Sequence, residues 1–316
     1  MKYILRSLII LSFLSSFSFA QNGNYKAKDI KVDIFKLRNY SQNGSFNSDA
    51  ALKFLFPGNY YYNETGFGSG TTISCWRTSK GKKIMLNGGF DKEEFQFPEV
   101  LNATIVLGTL DYNQENDNYK LLFFNSNNGE FTGRYMGGTL GAAKFKYENN
   151  NWILTLFDPA IDCLGNWSAA PMPDNIIKIT AVSSAIMIGG SGEGGVTDEE
   201  YKPVYGYLSL YSEENTKFEK VFDVGLTGCK NAFGNFGTTW KSTINTTNTN
   251  TENGYYDILL ETTGNADKRF MDIDNLPDDK IKEYAQNHSS FNFALKRKYI
   301  FENGAYLLKD KEVVFR

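Results

Sequence analysis

The stretch "KRKYIFENGAYLLKD", residues 296–310, places Asn303-Gly304 between two runs that are rich in aromatic and aliphatic residues. Both central residues of a tight type I′ turn need a positive φ angle, and Asn followed by Gly adopts that conformation at little cost. The stretch therefore predicts an antiparallel β-hairpin.

The same pattern of apolar runs around Asn-containing turns recurs along the chain. It predicts further hairpins with turns at 127–129, Asn149-Asn150 and Glu214-Asn215. The 29 Gly, 25 Phe and 19 Tyr residues, with 7 Pro, are typical of strands joined by short turns. We therefore expect a mainly β protein with antiparallel sheets, arranged as a sandwich or as an irregular propeller-like body. No regular repeat of about 40–50 residues establishes a propeller.

One or two short helices are also expected. Asn47-Ser48-Asp49 precedes "AALKFLF", and Pro277-Asp278-Asp279 precedes "KIKEYAQN". Each triplet offers a side chain that caps the first free backbone N–H groups of a helix, and the acidic residues suit its positive end.

The first 20 residues, "MKYILRSLIILSFLSSFSFA", have a basic start, a short apolar run and a small-x-small end. This pattern predicts a secretory signal peptide, and we expect the mature chain, residues 21–316, in the periplasm. It suits one large domain or two closely packed subdomains with a boundary near residues 140–150. No later segment has the ~18 continuous apolar residues of a membrane helix. The formal charge of −3 changes to −5 without Lys2 and Arg6. Because the chain is mildly acidic and has no basic stripe, we expect no nucleic-acid partner.

Three cysteines in an oxidising compartment predict one disulfide and one free thiol. Three pairings are possible. We favour a Cys163–Cys229 disulfide because both residues lie in segments that resemble turns, whereas Cys75 lies in a predicted strand, where a buried free thiol is common.

The segment "IMIGGSGEGGVTDEEY", residues 186–201, contains G-x-G-x-x-G at Gly190, Gly192 and Gly195. A dinucleotide loop needs a helix directly after these glycines, but Pro203 leaves room for one turn at most and the nearby acids repel phosphate. We interpret the segment as a loop between strands, or as an exposed recognition loop. In the second interpretation it contacts a protein partner, and the predicted contact residues are Glu193, Asp198, Glu199, Glu200 and Tyr201.

Catalytic patterns are scarce, so no catalytic residues are predicted. His288 is the single histidine, and any Ser-His-Asp or Cys-His mechanism must use it. The chain has no cluster of His and Cys with zinc-ligand spacing. Paired carboxylates that meet only in space stay open.

Calcium is the one cofactor that the sequence suggests. "NTNTENGYYDILLE", residues 248–261, loosely resembles FG-GAP calcium repeats, and the resemblance implies a metal site at Asn248, Asn250, Glu252 and Asp257. Partial copies follow the same spacing at residues 111–117 and 272–278. The alternative for each is an ordinary polar turn.

A second resemblance concerns "CLGNWSAAPMPD", residues 163–174, followed by "GEGGVTDEEYKPVYGYLSLY", residues 192–211. This layout resembles that of uncharacterised exported bacterial β-rich proteins. It implies no activity, and it implies only that residues 145–261 form one structural unit.

Consecutive strand residues point to opposite faces, so Tyr60, Tyr61 and Tyr62 cannot all face one core. At least one must meet solvent or a partner. By elimination, the sequence favours a periplasmic binding protein that acts on a protein partner, such as an immunity protein or inhibitor of an antibacterial effector. The grounds are export, the lack of catalytic histidine or metal clusters, the mild acidity, and the Gly- and acid-rich loops on a β scaffold. The alternatives are a glycan-binding or glycan-active β protein and an envelope structural protein.

Overall fold

The computed structural model describes residues 31–32, 40–63, 71–78, 84–85, 94–95, 102–128, 137–165, 169–193, 203–214, 217–231, 238–247, 254–267 and 273–316. The chain divides into two compact units. The first comprises Met1–Met172 with Asn215–Phe218, and the second comprises Pro173–Glu214 with Glu219–Arg316.

In its described residues, the first unit contains one large sheet and one helix, α1 (Ser48–Leu55). Its strands follow the order β1-β4-β7-β8-β9-β10-β2, β3 also pairs with β4, and β5 pairs with β6 separately. The pairs in the large sheet are antiparallel except β1–β4. The strands are β1 (Lys31–Val32), β2 (Ser41–Asn43), β3 (Asn59–Asn63), β4 (Thr71–Thr78), β5 (Ile84–Met85), β6 (Glu94–Phe95), β7 (Asn102–Gln114), β8 (Asp117–Asn128), β9 (Gly138–Glu148) and β10 (Asn151–Leu164).

Helix α1 packs on one face of this sheet. It begins where the Asn47 side chain accepts a hydrogen bond from the Ala50 N–H at 2.9 Å, as the capping pattern predicts. The helix buries apolar residues against aromatic and aliphatic side chains of β4, β8, β9 and β10. The buried members of this core are Ala51, Leu52, Leu55, Phe56, Trp76, Leu122, Phe124, Ala143, Phe145, Leu154, Phe157 and Ala160.

The second unit contains an eight-stranded sheet in which the strands lie in chain order, β11 to β18. A 3-10 turn (Ile273–Asn275) and helix α2 (Asp279–Asn287) precede its last hairpin. The strands are β11 (Asn175–Lys178), β12 (Ser184–Glu193), β13 (Pro203–Glu214), β14 (Lys217–Asn231), β15 (Thr239–Thr247), β16 (Asp257–Asp267), β17 (Ser290–Glu302) and β18 (Ala305–Phe315). The first two residues of β14 belong to the first unit.

The core of the second unit consists of two clusters. We call the one that includes α2 the helix cluster; its buried members are Trp240, Ala266, Leu276, Ile281, Ala285, Phe291, Phe293 and Leu295. We call the other the strand cluster; its buried members are Ile179, Ala185, Leu210, Phe222, Val224, Ile258, Leu260, Tyr299 and Tyr306.

The expected mainly β, antiparallel architecture with short helices is confirmed. The β17–β18 turn has φ angles of 52° at Asn303 and 86° at Gly304, and the β9–β10 turn has 51° at Asn149 and 64° at Asn150. These positive values are what the Asn and Gly pairs predict. Helix α2 is also capped as predicted, because the Asp278 side chain accepts a hydrogen bond from the Lys280 N–H at 2.9 Å.

The glycine-rich segment differs from the expected loop. Up to Glu193 it is strand β12, in which Gly190 lies opposite Tyr207 and Gly192 opposite Tyr205 on β13. Glycine in a strand interior weakens the strand but does not prevent backbone pairing with the neighbouring strand. Gly195 lies outside the described residues. The interpretation as a loop is therefore wrong for Gly189–Gly192.

The division into units also falls elsewhere than at residues 140–150. Those residues form the β9–β10 hairpin, whose ladder runs from Asn151 opposite Glu148 to Leu164 opposite Gly138. A division there would break this ladder, so the units divide after Met172 instead. Residues 145–261 accordingly belong to both units.

Candidate partner-binding surface

Strand β3 and helix α1 present two tyrosines on the same face of the first sheet. Tyr60 lies opposite Ser74 and Tyr62 opposite Thr72 on β4. The Ser74 hydroxyl donates a hydrogen bond to the carbonyl of Phe56, at the end of α1. The Thr72 hydroxyl donates to Asp49 Oδ2 at 3.1 Å. Because directly opposite residues share a face, both tyrosines lie on the face that carries α1.

The two tyrosines are held differently. The Tyr60 hydroxyl donates to the Lys53 carbonyl at 3.0 Å and accepts from the Gly58 N–H at 3.2 Å. The Lys53 ammonium lies 5.4 Å from the ring centroid of Tyr60. In the described part of the chain, Tyr62 has no hydrogen bond or ring contact. The exposed fractions are 39% for Tyr60 and 68% for Tyr62. The hydrogen bonds therefore hold the Tyr60 ring in place, whereas the Tyr62 ring is the more accessible of the two.

Strand β3 has one neighbouring strand among those described. Among the strands that the structure describes, β3 pairs only with β4, and its sequence, Asn-Tyr-Tyr-Tyr-Asn, has no charged residue. We call the surface formed by Asp49, Lys53, Tyr60, Tyr62 and Thr72, with the backbone of β3, the tyrosine edge. An uncharged edge strand can pair with an extended segment of another chain.

The cysteine beneath the tyrosine edge is not a reactive group. Burial raises the pKa of the Cys75 thiol to about 11, so it stays protonated at neutral pH. Opposite it on β3 is Asn59.

Strand alternation in the sequence predicts that at least one of the tyrosines is exposed, but no sequence pattern predicts that Asp49 and Lys53 lie beside them. Their place beside β3 depends on how α1 packs on the sheet. The Thr72–Asp49 hydrogen bond, for example, joins residues 23 positions apart.

Of the predicted partner-binding residues, the structure describes only Glu193, so it does not show whether they lie together. Glu193 is the last residue of β12 and lies opposite Val204. Asp198, Glu199, Glu200 and Tyr201 lie outside the described residues. Their role therefore stays a prediction.

Three of the four predicted calcium ligands, Asn248, Asn250 and Glu252, also lie outside the described residues. Asp257 is 3% exposed, and its Oδ2 lies 2.8 Å from the Lys298 ammonium, which already supplies a cation. In the partial copy at residues 111–117, Asp111 binds Lys120 and Asp117 Oδ2 lies 2.8 Å from the Lys146 ammonium. Where the chain is described, no three His, Cys, Asp or Glu side chains are grouped to hold a metal ion.

The predicted Cys163–Cys229 disulfide is wrong in this structure, because Cys163 is a free thiol, as is Cys75. Both predicted partners lie in strands rather than turns: Cys163 is opposite Thr139 in the first unit, and Cys229 is opposite Trp240 in the second. Burial, assisted by the nearby Asp162 carboxylate, raises the pKa of the Cys163 thiol.

His288 caps the end of α2 and contacts Tyr284 of that helix. Its Nδ1 lies 2.9 Å from the Tyr284 carbonyl oxygen, and its ring stacks on Tyr284 at 3.7 Å. Phe315 also stacks on Tyr284, at 3.9 Å, and Phe291 meets it edge-on at 5.0 Å. These contacts place the histidine at the end of a ring stack.

Comparison with family models, curated proteins and solved structures gives no match. In the part of the chain that the structure describes, none of the helices combines the length and the apolar character needed to cross a membrane.

Proposed function

We propose that this protein is a periplasmic binding protein that acts on a protein partner, such as an immunity protein or inhibitor of an antibacterial effector, and that the tyrosine edge contacts this partner. The observation that carries the proposal is the exposure of Tyr60 and Tyr62 on one face of an uncharged edge strand.

The physical argument begins with the side chains. Tyrosine is enriched among residues that dominate binding energy, because its ring buries a large area and loses little conformational entropy. The hydrogen bonds to Lys53 and Gly58 fix the Tyr60 ring before a partner arrives, which lowers the ordering cost of binding.

The backbone of β3 indicates what kind of partner segment would bind there. A free strand edge offers a row of N–H and C=O groups that an extended peptide segment satisfies. We therefore expect the partner to present an extended segment whose apolar side chains contact Tyr60 and Tyr62. The location rests on the signal-peptide pattern of residues 1–20. The acidic residues at 193–200 are proposed to steer the same partner toward the complex.

The proposal is tested with the mature chain as bait in the envelope and secretome of the producing cell. A partner captured by the wild type is then purified and titrated against Tyr62→Ala and against Leu308→Ala. Leu308, on β18, is 49% exposed and serves as a matched exposed residue of the second unit.

We expect Tyr62→Ala to weaken binding by about 2 kcal/mol, roughly thirtyfold, mainly in the off-rate. Leu308→Ala should bind like the wild type. Equal affinity of the wild type and a Tyr60→Ala/Tyr62→Ala double variant for the captured partner would show that the contact lies elsewhere.

A glycan is the second candidate ligand. Residues two apart on a strand are separated by about 7 Å, so the rings of Tyr60 and Tyr62 can stack on neighbouring sugar units. The Asp49 carboxylate and the Thr72 hydroxyl beside them suit sugar hydroxyl groups. Binding of purified envelope polysaccharide that is lost in Tyr62→Ala would favour this candidate over the protein partner.

A further inference from the structure

A positively charged side chain interrupts the inner face of the second sheet. On β17, Arg297 lies between Leu295 of the helix cluster and Tyr299 of the strand cluster, and strand alternation points all three to the same face. Directly opposite Arg297 on β16 is Leu260, which is fully buried. Position 297 thus follows the core pattern of the strand but carries a guanidinium group.

The guanidinium group has few partners. Its Nη2 lies 3.4 Å from the Thr262 hydroxyl, the guanidinium also hydrogen-bonds to the Tyr299 hydroxyl, and its Nε is buried without a hydrogen-bond acceptor. Across the described residues, no carboxylate pairs with it. A partly buried cation is normally paired with an anion, because removing charge from water is costly.

The neighbouring strand adds to the positive charge. Lys311 on β18 lies directly opposite Arg297, and two like charges at such a position repel. The Lys311 ammonium lies 2.8 Å from Asp278 Oδ2, while the Oδ1 of Asp278 caps α2. Asp278 compensates one of the two cations, so a net positive charge stays on this part of the inner face.

Two hydroxyl groups complete the arrangement. Ser242 Oγ and Thr262 Oγ1 are 2.7 Å apart, so one donates to the other and one hydrogen is left to donate. Thr262 is fully buried, whereas Ser242 and Arg297 are partly exposed and can be reached from solvent.

We propose that Arg297, with the Ser242 and Thr262 hydroxyl groups, binds an oxyanion, namely a carboxylate or phosphate group carried by a ligand. The planar guanidinium donates two parallel hydrogen bonds to such a group, and its charge is neutralised by the ligand. A ligand oxygen that reaches Nε gains a charge-assisted hydrogen bond from a donor that the fold has already removed from water.

The test uses the mature protein, with sodium phosphate and sodium acetate as separate probes at constant ionic strength set by sodium chloride. Thermal unfolding and isothermal titration calorimetry follow the binding. Arg297→Met removes the charge at similar length. Lys296→Met is the matched control, because Lys296 is the adjacent residue, points to the opposite face and pairs with Glu261 at 3.0 Å.

We expect one probe to raise the unfolding midpoint of the wild type and of Lys296→Met, and we expect Arg297→Met to bind it at least about tenfold more weakly. Which probe acts distinguishes a phosphate from a carboxylate ligand. Without either probe, Arg297→Met should be as stable as the wild type, since it removes a charge with no anionic partner.

Two results overturn the proposal: neither probe shifts the unfolding midpoint of the wild type, or Arg297→Met responds to the probes as the wild type does. If Arg297→Met does not fold, Arg297→Lys replaces it. That variant keeps the charge but loses the planar pair of donors, so its affinity should also fall, and unchanged affinity overturns the assignment.

Discussion

Strands β3 and β18 lie at edges of the two large sheets and carry opposite kinds of residue. In the described part of the chain each has one neighbouring strand, β4 or β17. β18 places Lys309, Asp310, Lys311 and Glu312 consecutively, all exposed, whereas β3 has three tyrosines between two asparagines. Charges on an edge strand prevent it from pairing with other chains. The contrast indicates that charges protect β18 against association, whereas the sequence of β3 contains no such charges.

The largest expected effect comes from removing the β3 edge. A Cβ atom on Gly58 would lie 2.1 Å from the Cys75 carbonyl oxygen and 2.8 Å from its carbonyl carbon. Backbone atoms of a paired strand move only at a high cost, so Gly58→Ala should displace β3 from β4 and destabilise the protein by about 3 kcal/mol. Chemical denaturation measures the loss.

Gly228→Ala is the control for the Gly58 variant. Gly228 lies in strand β14, and the nearest atom to its added Cβ is the Trp240 carbonyl oxygen, at 3.4 Å. Its stability should therefore be unchanged or slightly higher, because alanine has less backbone freedom in the unfolded chain. A Gly58→Ala variant as stable as Gly228→Ala would contradict the close approach of β3 to β4.

The contrast between the edges was only partly visible in the sequence. Turn residues and helix caps are local, so the Asn303-Gly304 hairpin and the Asn47 cap could be predicted. The juxtaposition of α1 and β3 is not local. For Arg297 a usable signal existed, because residues 291, 293, 295 and 299 are aromatic or aliphatic and position 297 breaks their alternation.

The two misplaced features have a common cause. The Gly and Asn residues near Cys163 and Cys229, and the glycines of the 189–192 segment, predict turns or a loop when only local composition is considered. These residues are tolerated inside long strands where the backbone ladder continues through them, as it does where Gly190 lies opposite Tyr207. Local composition does not report that pairing.

A smaller, pH-dependent effect distinguishes the first unit. Asp158 on β10 is 6% exposed, and it accepts hydrogen bonds from the backbone N–H groups of Phe218 at 2.8 Å and Ala160 at 3.2 Å. Burial raises the pKa of its carboxyl group, although those two N–H groups and Lys217 oppose the increase. The folded protein therefore binds this proton more tightly than the unfolded chain does.

The sign of the pH dependence follows from this difference. As the pH rises from the ordinary Asp range through the raised folded pKa, the contribution of Asp158 to stability should fall. Asp158→Asn should lower the unfolding free energy by about 1–3 kcal/mol at low pH, because the amide nitrogen of Asn replaces one of the two oxygens that accept the backbone hydrogen bonds. The stability difference between the wild type and the variant should narrow toward neutral pH. Urea unfolding of both proteins across this range measures it, and a difference that widens with pH would contradict the assignment.

The smallest effect concerns the β18 edge. Gly304 has a φ of 86°, and an added Cβ would meet no atom within 4 Å. Gly304→Ala therefore introduces backbone strain without a steric clash, and we expect a loss of about 1–2 kcal/mol in unfolding free energy. Gly304→Asn should lose less, because asparagine tolerates the left-handed conformation. Hydrogen exchange should show faster opening of β18 in the alanine variant, while amides of β3 and β4 exchange as in the wild type. If both variants lose the same stability, the turn does not depend on the positive φ, and if β3 also opens faster, the two edges are not independent as the contrast between them requires.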